Sequence, residues 1–405
     1  MTRRPGLLSA MAAGTPGLRR IRRPADDAGP TFDLAYVRTG PRTARPTVVV
    51  PGGPGLGSVL PYRGLRRRAA RLGLDLIMVE HRGVGLSRTD TAGRDLPVDA
   101  MRISAVAGDI AAVLDREAVD SAFLAGSSYG SYVVSFFGAR YPERVAGILL
   151  DSALQSSTDI GVERQAVRSL FWDADTQIAA DVRHLYAGGV DRRRLLDVIR
   201  AAHELGGPQL LGPLLRQRLR RPGGAAWRIL EAYATRDGSI ATLPGIYEFD
   251  IAGAIGFREL GYGAPPDGLP LDPALTYAPI AHRFPAFEGE PAELGEATSR
   301  FTWPMVLLSG DRDLRTPPSI AERVASIAPD ATLTRLENGH SALDTHPAAL
   351  LSAIAHLTTG RHESLPGRAG DLNSLPRRGA SARVPGLLAL LLRAERMLGG
   401  PPTRQ

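Results

Sequence analysis

Ser128 stands at the centre of residues 126–130, which read G-S-S-Y-G and match a G-x-S-x-G pattern. A short apolar run, 122–125, precedes this segment, and residues 129–140 have helical spacing, so a tight strand-to-helix turn is predicted. Such a turn strains the backbone of the serine and exposes its hydroxyl, while the flanking glycines avoid clashes with neighbouring elements. The pattern therefore predicts that Ser128 is a nucleophile for acyl transfer.

A serine hydroxyl is a weak nucleophile, so it needs a base, and the base needs an acid that orients it. The chain supplies both groups after the serine, in the order acid and then histidine. Asp313 follows a predicted strand at 305–309, and His340 follows another at 331–336. Because both residues come after strands, we expect them at the same edge of the sheet as Ser128.

Each of these two assignments has competitors. Asp311 competes with Asp313, which is preferred because the third residue after the glycine of that loop suits the turn better. His81 and His346 compete with His340, which is preferred because the glycine before it allows a tight loop to lower the ring into the site. The sequence alone leaves these alternatives open.

A glycine-rich segment at 51–55, P-G-G-P-G, follows the first predicted strand of this pattern, 46–50. Glycines at such a place let a backbone N–H approach the carbonyl group that reacts. The second N–H for a developing oxyanion is expected from Tyr129, the residue after the nucleophile. Together these features predict a site that stabilises an oxyanion.

The elements that must position these residues alternate between strand and helix, which predicts an α/β fold with a mostly parallel sheet and helices on both faces. This core is predicted at 31–155 and 296–360. The alternation stops at 156–295, where helical spacing predicts a helical insertion. Residues 1–30 are predicted to be a basic flexible leader, and 361–405 a basic tether that ends in a helix.

Composition excludes several classes of site. The 405 residues include no Cys, which excludes disulfides, thiolate metal sites and a cysteine nucleophile, and no Lys, which excludes a Schiff-base or P-loop lysine. The net charge of +7 arises from the tails: 1–30 carries +4 and 361–405 carries +5, which leaves −2 for the rest. Basic tails on a near-neutral body do not favour a nucleic-acid partner. No run of residues is apolar enough for a transmembrane span, and a cytoplasmic protein is predicted.

Three motifs together resemble a known family. The sequence resembles the α/β-hydrolase fold and, within it, the serine peptidases similar to proline iminopeptidase and tripeptidyl aminopeptidase. Residues 52–55 match the family's G-G-P-G loop, with Pro51 where iminopeptidases usually have His. Residues 80–87, E-H-R-G-V-G-L-S, look like its D-x-R-G-x-G-x-S segment, and 126–130 match its nucleophile segment. The tyrosine at position 129 makes this segment more similar to that of the tripeptidyl aminopeptidases, because iminopeptidases usually have Trp after the serine.

The resemblance implies further roles for residues of this chain. It implies oxyanion N–H groups at Gly53 and Tyr129, and a cap formed by 156–295 over the active site. It also implies acidic cap residues that bind the free amino terminus of a peptide. The candidates for this role, in order of preference, are Glu259, Glu248 and Asp250.

The predicted function is therefore a serine hydrolase that forms an acyl-enzyme, specifically an aminopeptidase acting at free peptide N-termini. The alternatives are a hydrolase of small esters, lactones or amides, and a non-catalytic binding protein that keeps the fold. The expected partner is a small-molecule or short-peptide substrate, with no metal or organic cofactor. The apolar stretch 384–398 is predicted to be a helix that packs on the body or on a second subunit, or that contacts a membrane surface.

Overall fold

The computed structural model describes residues 7–25, 29–377 and 379–398. Its strands are β1 (Leu18–Pro24), β2 (Thr31–Thr39), β3 (Thr47–Val50), β4 (Leu76–Val79), β5 (Ala122–Ser127), β6 (Val145–Asp151), β7 (Thr242–Leu243), β8 (Tyr247–Glu248), β9 (Met305–Gly310) and β10 (Ala331–Leu336). Its α-helices are α1 (Leu7–Ala13), α2 (Arg63–Arg71), α3 (Ile103–Arg116), α4 (Tyr129–Arg140), α5 (Asp159–Phe171), α6 (Gln177–Ala187), α7 (Arg192–Arg220), α8 (Ala225–Ala234), α9 (Arg236–Ile240), α10 (Phe249–Ala252), α11 (Ala254–Leu260), α12 (Leu294–Thr298), α13 (Pro318–Ile327), α14 (Ala342–Thr345), α15 (Pro347–Thr358), α16 (Ala369–Ser374) and α17 (Ala380–Leu398).

The main sheet has the strand order β1-β2-β4-β3-β5-β6-β9-β10. Strand β2 runs antiparallel to both β1 and β4, whereas the pairs from β4 through β10 are parallel. The short strands β7 and β8 form a separate antiparallel pair. The predicted α/β fold with a mostly parallel sheet is confirmed, and the loops after β3, β5, β9 and β10 meet at the carboxyl edge of the sheet.

The two faces of the sheet bury separate hydrophobic cores. Successive side chains of a strand point to opposite faces, so Val48 and Val50 of β3 join one core and Val49 joins the other. Helices α3, α4 and α13 contribute to the first core, and α2 and α15 to the second. All residues of β3 and β5 are buried, as expected for strands covered on both faces.

The structure corrects the expected flexible leader at residues 18–24, because these form β1 and pair along their whole length with β2. Two arginines of this strand meet buried acidic side chains. Arg19 lies 2.6 Å from Glu117 and Arg23 lies 2.9 Å from Asp109, and both acids are almost fully buried. Part of the basic character of this segment therefore serves ion pairs between an edge strand and the core.

Between β6 and β9 the chain is mostly helical and runs from α5 to α12. Helices α5 to α8 enclose a hydrophobic cluster separate from the two cores of the sheet, with Phe171, Leu195 and Trp227 among its buried members. Helix α7 bends at Gly207, whose φ of 62° and ψ of −160° are not helical. This helical segment coincides with the insertion predicted at 156–295 and is called the cap below.

The C-terminal helix α17 packs against the cap. Leu388 and Leu392 are buried in the same hydrophobic cluster as the cap helices, and the carboxylate of Glu395 accepts a hydrogen bond from the backbone N–H of Ala225 at the start of α8. The helix predicted at 384–398 thus lies within α17 and packs on the body. Across residues 7–25, 29–377 and 379–398, every helix is too short or too polar to span a bilayer.

Candidate active site

Ser128 lies between the end of β5 and the start of α4, with φ of 54° and ψ of −121°. This conformation is strained for a residue with a side chain. The neighbouring backbone leaves no room for a side chain at the glycines on either side of the turn. A Cβ on Gly130 would lie 2.1 Å from the carbonyl oxygen of Val50, and one on Gly126 would lie 2.1 Å from the carbonyl oxygen of Gly130. Both glycines are therefore required by close backbone contacts at this turn.

Asp313, in the loop after β9, is the carboxylate that meets His340. Both of its oxygens lie 3.0 Å from Nδ1 of the imidazole, and its side chain is fully buried. Two backbone N–H groups of the same loop donate to Oδ1 at 3.0 Å each. Asp311 is 43 % exposed and forms an ion pair of 2.8 Å with Arg335. Of the two competing acids, the geometry supports Asp313.

The charges of Asp313 and His340 stabilise each other. Burial alone would raise the pKa of the carboxyl group, but the imidazole and the hydrogen bonds from the loop lower it below its ordinary value. Burial alone would lower the pKa of the imidazole, but the carboxylate raises it above its ordinary value. The pair is therefore suited to hold a proton that the imidazole takes up during a reaction.

The other two candidate histidines lie in different surroundings. His81 is buried, its Nε2 lies 2.9 Å from the hydroxyl of Tyr129, and burial lowers its pKa to about 4. His346 is fully buried, with Nε2 at 3.0 Å from the carbonyl oxygen of Leu372, and burial lowers its pKa as well. Neither histidine has a carboxylate partner among the described hydrogen bonds, in contrast to His340.

A buried network holds the nucleophile turn and the histidine loop side by side. Ser127, which precedes Ser128, shares a hydrogen bond of 2.9 Å with Ser341, which follows His340. Asp151 accepts a 2.7 Å hydrogen bond from Ser127 and two of 2.9 Å from backbone N–H groups at the start of α14. Burial raises the pKa of Asp151 to about 6. The sequence reasoning missed this network, in which Asp151 is the last residue of β6.

The Gly-rich loop, residues 51–57, follows β3 and passes beside the nucleophile. A Cβ built on Gly52 would lie 3.3 Å from Cβ of Ser128. Gly53 has a φ of 122°, a conformation that favours glycine. Tyr129 is the first residue of α4, where a backbone N–H has no partner within the helix. The two residues predicted to stabilise an oxyanion thus belong to backbone segments that adjoin Ser128.

The three acids predicted to read an amino terminus have structural partners. Oε2 of Glu259 accepts a 2.7 Å hydrogen bond from the N–H of Ile103, the first residue of α3, and so caps that helix. Glu248 is buried and lies 3.0 Å from Nη1 of Arg88. The carboxylate of Asp250 receives two hydrogen bonds of 2.9 Å from the same guanidinium. These contacts explain the positions of all three acids without a ligand.

Glu204, which the sequence reasoning missed, lies against both loops that carry the acid and the histidine. A Cβ on Gly339 would lie 2.6 Å from Cβ of Glu204, and the N–H of Leu314 donates to its Oε1 at 3.4 Å. Burial raises the pKa of this carboxyl group, and the negative charge of Asp313 acts in the same direction. The charge of Arg315 acts in the opposite direction and lowers that pKa.

Glu163 of α5 is a second acid near these groups. It forms an ion pair of 2.7 Å with Arg200. Burial nevertheless raises its pKa to about 7, and the charges of Asp313 and Glu204 contribute to that rise. No motif marks Glu163 or Glu204, because their approach to the loops depends on how the cap helices pack.

A group of side chains that could hold a metal ion lies at the opposite edge of the sheet. Among the described residues, Asp330, His362 and Glu363 bring their ligand atoms within 4.8 Å of one another. Asp330 directly precedes β10, whereas His340 follows that strand. Nε2 of His362 already lies 3.0 Å from Asp330, so this group is separate from the candidate active site.

Comparison with solved structures finds similar folds. A proline iminopeptidase from Mycobacterium smegmatis has 16% identity and a TM-score of 0.52, and the match covers 85% of this chain and 99% of that one. VinJ has 15% identity and a TM-score of 0.50, with 84% and 98% covered. An esterase from Rhodococcus sp. ECU1013 has 21% identity and a TM-score of 0.48, with 85% and 98% covered. At such identities the likeness shows the fold alone.

No curated protein matches this chain. The family described as the alpha/beta hydrolase fold matches residues 46–347. This range includes the nucleophile turn, both candidate partner loops and the whole cap. The chain therefore belongs to the α/β-hydrolase family.

Proposed function

We propose that this protein is a serine hydrolase that forms an acyl-enzyme on Ser128. The observation that carries the proposal is the pairing of Asp313 with His340 at 3.0 Å. The loop that carries His340 is itself hydrogen bonded to the turn that carries Ser128. A strained serine, a buried carboxylate and a half-buried imidazole, in this chain order, form the arrangement that activates a hydroxyl for acyl transfer.

In the proposed mechanism, His340 takes the proton from the hydroxyl of Ser128 as the oxygen attacks the carbonyl carbon of the substrate. Asp313 holds the imidazole in the required tautomer and stabilises the imidazolium. The N–H groups of Gly53 and Tyr129 stabilise the oxyanion, with a contribution on the order of 3 kcal/mol per donor. The imidazolium then protonates the leaving group, and water repeats the sequence on the acyl-enzyme.

The proposed substrates are peptides or aminoacyl amides with a free amino terminus. Glu204 supports this specificity, because it places a carboxylate charge at the loops of the acid and the histidine. A protonated amine would offset that charge, and a hydrogen bond between two charged groups is worth about 1.5–3 kcal/mol. Glu163 adds a second carboxylate nearby, although Arg200 already pairs with it. We therefore assign amine recognition to Glu204 in preference to Glu259.

The first test is hydrolysis of matched fluorogenic aminoacyl and tripeptidyl amides, free and N-acetylated, beside a p-nitrophenyl ester. Labelling by a fluorophosphonate, with Ser128→Ala as the blank, tests the nucleophile directly. Turnover of the free amides alone supports the aminopeptidase. Turnover of the ester alone supports a hydrolase of small esters or lactones, and absence of labelling contradicts the serine mechanism.

The second test compares Glu204→Gln with Glu259→Gln. Loss of the charge at Glu204 is expected to lower kcat/KM for free-amine amides by about 10- to 100-fold, while ester hydrolysis changes little. Glu259→Gln keeps an oxygen that can accept from the N–H of Ile103 and should leave the preference for free amines unchanged. The reverse result would return amine recognition to Glu259.

A further inference from the structure

The Gly-rich loop is bound to the cap by backbone hydrogen bonds. The N–H of Gly57 donates to the carbonyl oxygen of Ile246 at 2.9 Å, and the N–H of Glu248 donates to the carbonyl oxygen of Gly55 at 2.9 Å. These bonds flank an antiparallel bridge between Leu56 and the cap strand β8. The loop that follows β3 therefore pairs with the cap hairpin through a single antiparallel bridge.

The approach of the two backbones is too close for a side chain. A Cβ on Gly57 would lie 2.4 Å from the carbonyl oxygen of Gly245 in the cap. The glycines of this loop thus have a second purpose besides exposing an N–H to substrate. They allow the loop and the cap hairpin to meet through their main chains.

Tyr262 makes a further contact between the cap and this loop. It follows α11, and its hydroxyl donates to the carbonyl oxygen of Gly53 at 3.1 Å. Its ring stacks on Tyr277, with centroids 4.9 Å apart and an angle of 17° between planes, and lies edge-on to Phe257. Burial raises the pKa of Tyr262 well above its ordinary value, so the hydroxyl keeps its proton. The donor is therefore fixed by packing on the cap side.

We propose that Tyr262 is a positioning residue that holds Gly53 in the conformation needed for its N–H to bind the oxyanion, so that the cap completes this site. The inference rests on the proposed acyl-enzyme mechanism. Donors to an oxyanion act by being fixed before the charge develops, and removing one donor lowers kcat by about 10²- to 10³-fold. Loosening one donor, with its N–H still present, should cost less, about tenfold in kcat.

Tyr262→Phe keeps the stacked ring but removes the hydroxyl that donates to the carbonyl oxygen of Gly53. The variant should lower kcat for the ester and the rate of fluorophosphonate labelling by about tenfold, with KM unchanged. Tyr132→Phe is the matched control, because it also removes one buried hydroxyl, which donates to Glu290 at 3.1 Å. The control should keep kcat within about twofold, and a thermal melt should show that both variants fold.

Amide hydrogen exchange of residues 52–57 gives a readout that does not depend on activity. Exchange in this segment should be faster in Tyr262→Phe than in wild type, and unchanged in Tyr132→Phe. Unchanged exchange in Tyr262→Phe would overturn the positioning role. This result does not depend on activity, whereas failure of the fluorophosphonate to label Ser128 in the wild type would overturn the proposed function itself. Faster exchange with unchanged kcat in a labelled, active enzyme would overturn the link to catalysis.

Discussion

Replacing Asp313 with Asn removes one charge and changes one hydrogen-bonding group without altering the volume of the side chain. In the wild type, Oδ1 accepts from two backbone N–H groups of its own loop at 3.0 Å. Both oxygens also face Nδ1 of His340 at 3.0 Å. In the Asn variant, the two backbone N–H groups should keep the amide oxygen at the position of Oδ1. The amide NH₂ then takes the position of Oδ2.

An NH₂ group at that position donates to Nδ1 of His340, so the ring proton must move to Nε2. The nitrogen needed to accept the proton of Ser128 then carries one already. By analogy with the same change in other serine hydrolases, kcat should fall about 10⁴-fold, which corresponds to about 5 kcal/mol of transition-state stabilisation. The activity that remains should come from substrate binding and the oxyanion donors.

The assay is hydrolysis of the p-nitrophenyl ester, with fluorophosphonate labelling as a second readout. Asp311→Asn is the matched control, because Asp311 lies two residues away, is 43 % exposed and pairs with Arg335. It should change kcat by less than about twofold, as expected for a surface ion pair. Equal losses in the two variants, or a larger loss in Asp311→Asn, would refute the assignment of Asp313.

Two further predictions concern pH and the cap. Although burial acts in the opposite direction, Asp313 raises the pKa of His340 above its ordinary value of 6.5. Because the base must be neutral, kcat/KM should increase with pH through a midpoint above 6.5, and this midpoint should shift downward in Asp313→Asn. A wild-type midpoint below 6.5 would contradict this reasoning. In α17, Leu388 is 0 % exposed and Leu390 is 63 % exposed. In denaturant titrations, Leu388→Ala should lower the free energy of unfolding by about 2–5 kcal/mol, and Leu390→Ala should lower it by less than about 0.5 kcal/mol. Similar losses in the two variants would count against the docking of α17.

The nucleophile turn could be predicted because its requirements are local. The backbone of Ser128 needs glycines on either side, and the turn needs a strand before it and a helix after it, all within about twenty residues. The order of the later loops then predicted Asp313 and His340, which the structure places 3.0 Å apart. The preference for Asp313 over Asp311 depended on loop spacing alone. In the structure the two acids differ in burial, which the loop sequence does not specify.

The acids of the cap could not be assigned because their surroundings are set by distant parts of the chain. Glu259 looked available in sequence, yet it caps α3 more than 150 residues earlier. Glu204 lies in a helix with no distinguishing motif, and only tertiary packing brings it to the loop of His340. The same holds for Arg19 of β1, whose partner Glu117 lies in a helix–strand connection far along the chain.

The docking of α17 on the cap has a consequence for synthesis on the ribosome. Helix α8 ends at residue 234 and α17 begins at residue 380, so at ~5–20 residues per second the delay between them is about 7–30 s. During that interval the apolar surface of the cap that later contacts Leu388 and Leu392 has no covering helix. The nascent chain should therefore present this surface to chaperones until α17 has emerged.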